Sequence, residues 1–203
     1  MRSTLRRIFL GSEVLLYLIF LYMDLMHSGD STIPKFLSIC LVGLTGALFA
    51  AHSEIRLGLI LTVAADVFLL LLNRYYPVGI MLFIIVQICY ALYLDDTHGM
   101  IPRLICITLS SILFYRYGLL ETLAAVYITL FLCNVIRAGV KCRENPLFFI
   151  GMLLFFCCDI CVGLYHTCTG AVWEFVRVAM WAFYLPGQVL ILLSSWKTGG
   201  TNE

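Results

Sequence analysis

The chain has 203 residues, 62% of them hydrophobic and 12% charged, with a mean hydropathy of +0.99; soluble domains average roughly 25% charged residues. This composition describes an integral membrane protein, and a formal charge of +1 excludes a nucleic-acid binder, which carries a basic patch or stripe. Eight spans of about 20 residues would consume ~160 positions, so no soluble domain fits and 1–203 reads as a single polytopic domain.

Apolar runs between punctuation residues predict spans at 9–27, 34–51, 57–72, 78–94, 101–115, 119–137, 146–166 and 173–196. Lipid offers no partner to a bare backbone, so the expected fold is an all-α bundle of about eight transmembrane helices. Arg2, Arg6 and Arg7 precede the first run, but 28–32 lacks a small-x-small cleavage site, and the run reads as an uncleaved span. With both termini inside, Arg2, Arg6, Arg7, Arg56, Arg103, Arg137, Lys141, Arg143 and Lys197 fall on the inner side. Lys35, Arg74, Arg116 and Arg177 fall on the outer side. That bias predicts a multi-pass cell-membrane protein with cytoplasmic termini.

Two aspartates, Asp66 and Asp159, interrupt the third and seventh runs, and the run after each carries one glutamine, Gln87 and Gln188. A carboxylate at the centre of a membrane helix costs about 2.5–3.5 kcal/mol on insertion scales, so it persists with a partner or a task. Asp66 lies ~12 Å from Arg74 and Asp159 ~10 Å from His166 along their helices, which puts both toward the outer leaflet. The like placement, 93 residues apart, suggests a parallel four-plus-four repeat with a site at its interface.

Helical phase sorts the polar residues. Asn73 shares a stripe with Asp66, and His166 with Asp159, at a spacing of seven. Span eight aligns Arg177, Trp181, Tyr184, Gln188 and Ser195; span one aligns Glu13, Tyr17 and Asp24; span four aligns Gln87 with Tyr90. Such stripes face the bundle interior. Ser110, Ser111, Thr129 and Asn134 read as ordinary interhelical hydrogen bonding.

Other features carry a structural reading. Nine cysteines are scattered, and Cys158-x-x-Cys161 lies mid-span without a second thiol pair or a His cluster, so neither a metal nor a redox cofactor is expected. His52 and His98 fall in inner loops and His27 near the outer surface. Glu174 and Arg177, three apart, form a helix-start pair.

Around the aspartates the chain resembles the YhhN family of eight-span membrane proteins, which includes the lysoplasmalogenases. The resemblance rests on Ala65-Asp66, Pro77, Gly79, Phe83, Gln87 and Tyr90 in spans three and four. It continues in Leu153-Leu154-Phe155-Phe156-Cys157-Cys158-Asp159 of span seven and in Tyr184 and Gln188 of span eight. Ala65 stands for the family's Gly, Cys158 for its Ser, and Gln87 for its fourth-span His; Gln hydrogen-bonds but does not exchange a proton near neutral pH.

The resemblance implies hydrolysis of the vinyl-ether bond of lysoplasmalogens, with a lysophospholipid and the bilayer as partners and no cofactor. Protonation of the enol ether at carbon gives an oxocarbenium-like cation, water captures it, and the hemiacetal collapses to a fatty aldehyde and a glycerophospho-base. Asp66 and Asp159 would share this work, one donating the proton and the other stabilising the cation or directing water. Gln87, Tyr90, Tyr184, Gln188, Asn73 and His166 would position water or substrate, and Arg74 or Arg177 would meet the head-group phosphate. The alkenyl chain would enter from the bilayer. Two further readings stand beside this one: a proton-coupled transporter of a small solute, suggested by eight spans, a parallel repeat and the midmembrane carboxylates, although Pro186-Gly187 is the one strong Gly or Pro interruption of a span, and a catalytically impaired lipid-binding relative, suggested by Gln87.

Overall fold

A computed structural model describes residues 2–27, 29–94, 100–167 and 169–196; His98, Cys168 and Lys197 lie outside them. The described residues form eight α-helices: α1 (Arg2–Met26), α2 (Thr32–Phe49), α3 (Ser53–Asp66), α4 (Tyr76–Tyr93), α5 (Met100–Phe114), α6 (Leu119–Val140), α7 (Pro146–Thr167) and α8 (Ala171–Ser194). A π-helical turn, Val67–Leu71, prolongs α3, and a 3-10 turn, Tyr115–Tyr117, follows α5. Six helices, all but α3 and α5, are long and apolar enough to cross a membrane. The protein is thus a multi-pass helical bundle, with Leu and Ile side chains on its outward faces and aromatic and polar ones inside.

Successive helices alternate in direction. One end of the bundle, here the hairpin end, carries the α1–α2, α3–α4 and α7–α8 turns. The opposite end joins the α2–α3 turn to the end of α8: Ala51 N–H donates to Ser195 O (2.6 Å), and Ser195 Oγ accepts from the amides of Ala51 and His52 at 3.1 Å each. Trp196 stacks on Phe49 there, with centroids 5.4 Å apart. His52 precedes α3 and packs its ring against Tyr93.

Glycine decides how closely α7 and α8 approach. A Cβ added at Gly151 would fall 2.9 Å from Gly187 O, and one at Gly187 would fall 3.0 Å from Gly151 O, so the two backbones are in contact. Next to Gly187, Pro186 lies inside α8. Proline has no N–H, so the carbonyl of Ala182, four residues earlier, loses its helical donor; Tyr17 of α1 donates its hydroxyl to that carbonyl (3.4 Å).

Candidate active site

Each of the two carboxylates is held in the bundle by a tyrosine from a different helix. Asp66 ends α3 and is 4% exposed; Tyr184 of α8 donates to its Oδ2 at 2.6 Å. Asp159 of α7 is half-buried and accepts from Tyr127 of α6 at 2.5 Å, also through Oδ2. The charge of Asp159 acts on Asp66, and the buried Cys158 thiol lies within reach of both charges. Aromatic rings wall the pair. Phe155 lies 5.4 Å from Tyr184, 5.7 Å from Phe83 and 4.8 Å from Phe131 between centroids, and Phe83 lies 5.9 Å from Tyr127.

Local backbone explains why Asp66 stands where it does. The α-helix gives way to the π-turn directly after it, and turns of that kind collect at functional sites. The extra residue per turn also breaks the seven-residue phase with Asn73. Asn73 sits exposed in the α3–α4 turn at φ +47° and accepts from the Tyr76 hydroxyl at 2.5 Å. It therefore does not join Asp66. His166 is likewise exposed at the end of α7, with its ring against Tyr165, and Arg74 is exposed in the same turn as Asn73.

Gln87 is fully buried; its amide oxygen is engaged elsewhere, and its Nε2 has no hydrogen-bond partner among the described residues. Asn134 Nδ2 donates to both Gln87 O (2.7 Å) and Gln87 Oε1 (3.0 Å), while Arg103 Nη2 donates to Asn134 Oδ1 (3.1 Å). Asn134 is thus more than generic helix glue: it fixes which way the Gln87 amide points. Thr129 does bond Ser110 between α6 and α5, at 3.1 Å, as the sequence pattern suggests.

Gln188, fully buried one turn after Tyr184, has neither amide atom paired among the described residues. Leaving a buried donor or acceptor unsatisfied costs about 1–3 kcal/mol per group. Tyr90 is also fully buried, its hydroxyl beside Thr62 and its ring on Gly58, where a Cβ would fall 2.5 Å from Tyr90 Cε1.

Toward the hairpin end the acids are roofed by charge and aromatics. Lys35 Nζ pairs with Asp24 Oδ2 at 2.7 Å and lies 4.9 Å from the centroid of Trp181, whose ring meets Tyr184 edge-on at 5.6 Å. Ser31 donates to Asp24 Oδ1 at 2.5 Å, and Arg177 Nη2 donates to the Asp24 carbonyl at 3.1 Å. Arg177 also meets Glu174 at 3.3 Å, and His27 approaches Glu174 at 3.8 Å. Glu13, on the same helix as Asp24, is also buried and accepts from Ser38 of α2.

Tyr127 and Lys35 are the site residues that sequence reasoning missed. Tyr127, Phe131 and Asn134 recur at steps of four and three, a stripe that could have placed α6 against the acids. From sequence Lys35 reads only as an outer-side charge, although it lies within the first turn of α2.

The aspartates at their helical stations, and the match of the YhhN family model to residues 31–195, agree. The chain belongs to the YhhN family. Comparison with curated proteins and with solved structures finds no match. In this YhhN protein the matched residues run from α2 through α8 and include both aspartates and both tyrosines, while α1, with Glu13, Tyr17 and Asp24, precedes them.

Proposed function

We propose that this YhhN protein hydrolyses the vinyl-ether bond of lysoplasmalogens inside the membrane. The observation that carries the reading is that Asp66 and Asp159 are each oriented through Oδ2 by a tyrosine of another helix, with Phe155 packed against Tyr184 and Phe83 against Tyr127. Cleavage of an enol ether needs a proton delivered to the vinylic carbon and a negative charge near the resulting cation. Two carboxyl groups that sense one another divide those tasks, one entering protonated and the other ionised. Tyr184 and Tyr127 leave Oδ1 of each acid for the substrate. Low local dielectric strengthens the attraction between the ionised partner and the cation.

The phosphate of the lysolipid lies at the hairpin end with Arg177, seven residues or ~10 Å along α8 from Tyr184. Arg177 already projects toward this roof through its bond to the Asp24 carbonyl. Arg74, exposed in the neighbouring turn, contacts the head group only from outside the bundle.

The test is aldehyde release from lysoplasmalogen by the detergent-purified chain and by Asp66→Asn and Asp159→Asn. Release above a protein-free control, reduced at least 100-fold by either substitution, is expected if the acids carry the chemistry. No release from the wild type removes the enzyme reading for this substrate, and activity that survives both changes rejects the site. Proton-driven solute uptake by reconstituted liposomes would instead favour transport.

A further inference from the structure

We propose that the layer one helical turn beyond the acids, formed by Gln188, Thr62 and Tyr90, is an internal water site that supplies the hydrolytic nucleophile, with Gln188 as its positioning residue. The inference rests on the hydrolase reading above. It starts from Gln188, a fully buried side chain whose Nε2 and Oε1 both lack a partner among the described residues.

Register brings the other two groups to it. The Tyr184–Asp66 hydrogen bond ties α8 to α3, and the two helices run in opposite directions. Four residues on from Tyr184 is Gln188, and four residues back from Asp66 is Thr62, so both step ~6 Å the same way, away from the hairpin end. Tyr90 arrives from α4: its ring lies on Gly58, one further turn down α3, and its buried hydroxyl has no hydrogen-bond partner among the described residues. The Thr62 hydroxyl donates to the Gly58 carbonyl at 3.0 Å, which leaves its oxygen lone pairs to accept.

The combined inventory is an amide N–H2, an amide oxygen, a tyrosine hydroxyl and a threonine oxygen. It offers donors and acceptors together, without a formal charge. A buried water makes about three hydrogen bonds to otherwise unsatisfied groups, and this set matches one or two waters. An alkenyl chain would leave both atoms of the Gln188 amide and the Tyr90 hydroxyl unpaired. Lipid and water therefore reach the acids from different sides: the lysolipid from the charged roof at Lys35 and Arg177, the water from the amide layer beneath. The oxocarbenium carbon is then attacked by an oxygen that the tail cannot displace. The water forms the C–O bond and loses its proton to the ionised carboxylate, and the hemiacetal expels the glycerophospho-base as its oxygen takes up a proton.

The experiment uses full-length protein in lipid nanodiscs with lysoplasmalogen in D2O. In the wild type, captured cations go on to aldehyde and the recovered substrate carries no deuterium. In Gln188→Leu, aldehyde release falls about tenfold or more. The recovered substrate gains deuterium at the vinylic carbon β to the ether oxygen, because a cation without water returns a proton to the acid. Thr62→Val gives the same exchange from a second position. A general loss of structure would slow release without labelling the substrate, so slowed release with no deuterium in either variant overturns the proposal, as does an unchanged rate. A high-resolution structure of the wild type supplies a readout independent of turnover: ordered water within hydrogen-bonding distance of the Gln188 amide is expected. An amide that is dry or bonded only to protein refutes the site. If the wild type releases no aldehyde but holds that water, the hydrolase reading fails and the water site stands.

Discussion

Replacing Tyr184 by Phe removes one oxygen atom from the centre of the site and little else. The ring keeps its contacts with Trp181 (5.6 Å) and Phe155 (5.4 Å), so packing is preserved and the loss is confined to the 2.6 Å bond to Asp66. Hydrogen bonds to charged groups contribute about 1.5–3 kcal/mol, and with Asp66 only 4% exposed, solvent offers no ready replacement. If the bond holds Asp66 in its working position through the transition state, the same energy appears as a roughly ten- to hundredfold fall in the rate of aldehyde release. A double-mutant cycle of Tyr184→Phe with Asp66→Leu, read by reversible unfolding in mixed micelles, measures the pair without any assumption about the substrate. A coupling near zero, or a Tyr184→Phe protein with wild-type stability and turnover, would refute the assignment of this tyrosine as the orienter of Asp66.

Two other contacts give predictions of known sign. Lys35→Met leaves Asp24, 5% exposed, without its cation, and should lower unfolding stability by about 3–5 kcal/mol; adding Asp24→Asn should recover much of that loss, and a single variant as stable as the wild type would show that the pair contributes nothing. Tyr17→Phe should cost about 0.5–1.5 kcal/mol, since it strips the donor from the Ala182 carbonyl. In a Pro186→Ala background, where α8 regains its own N–H at that position, the same change should become nearly neutral, and equal cost in both backgrounds would contradict the account of the proline.

The parts legible in sequence are those where burial is expensive. Asp66, Asp159 and Gln188 stand out because an apolar run does not tolerate such groups without reason, and α8 keeps its 3.6-residue phase closely enough that Arg177, Trp181, Tyr184, Gln188 and Ser195 all turn inward as their spacing predicts. The same phase argument fails for Asn73, since the π-turn at Val67–Leu71 shifts everything after it, and periodicity carries no mark of that turn. It fails for His166 because α7 reaches the bundle end there and the side chain points outward. Comparison of the two halves was misleading in a specific way. By spacing, the counterpart of Tyr184 before Gln87 is Phe83, which has no hydroxyl; the donor to Asp159 comes from Tyr127 on α6 instead. A search for like residues at like stations therefore finds one tyrosine and passes over the other.

The helix that brings most of the site together is also the one least able to hold itself straight. Pro186 removes a rung from α8 two residues after Tyr184, and Gly187 beside it contributes no side chain, only a backbone pressed against Gly151. A break at that position would let Tyr184 and Gln188 swing relative to one another, yet the proposed chemistry needs both, the first on the acid and the second on water. The missing rung is replaced from outside the helix: Tyr17 takes the Ala182 carbonyl, and α1 is tied in turn by Glu13 to Ser38 and by Asp24 to Lys35. This gives α1 a task although it precedes the residues matched to the family: its polar stripe braces α8 at Pro186. The close glycine contact with α7 then becomes intelligible as the second brace, because α7 carries Asp159, and fixing α8 against α7 and α1 together fixes the distance between the two acids.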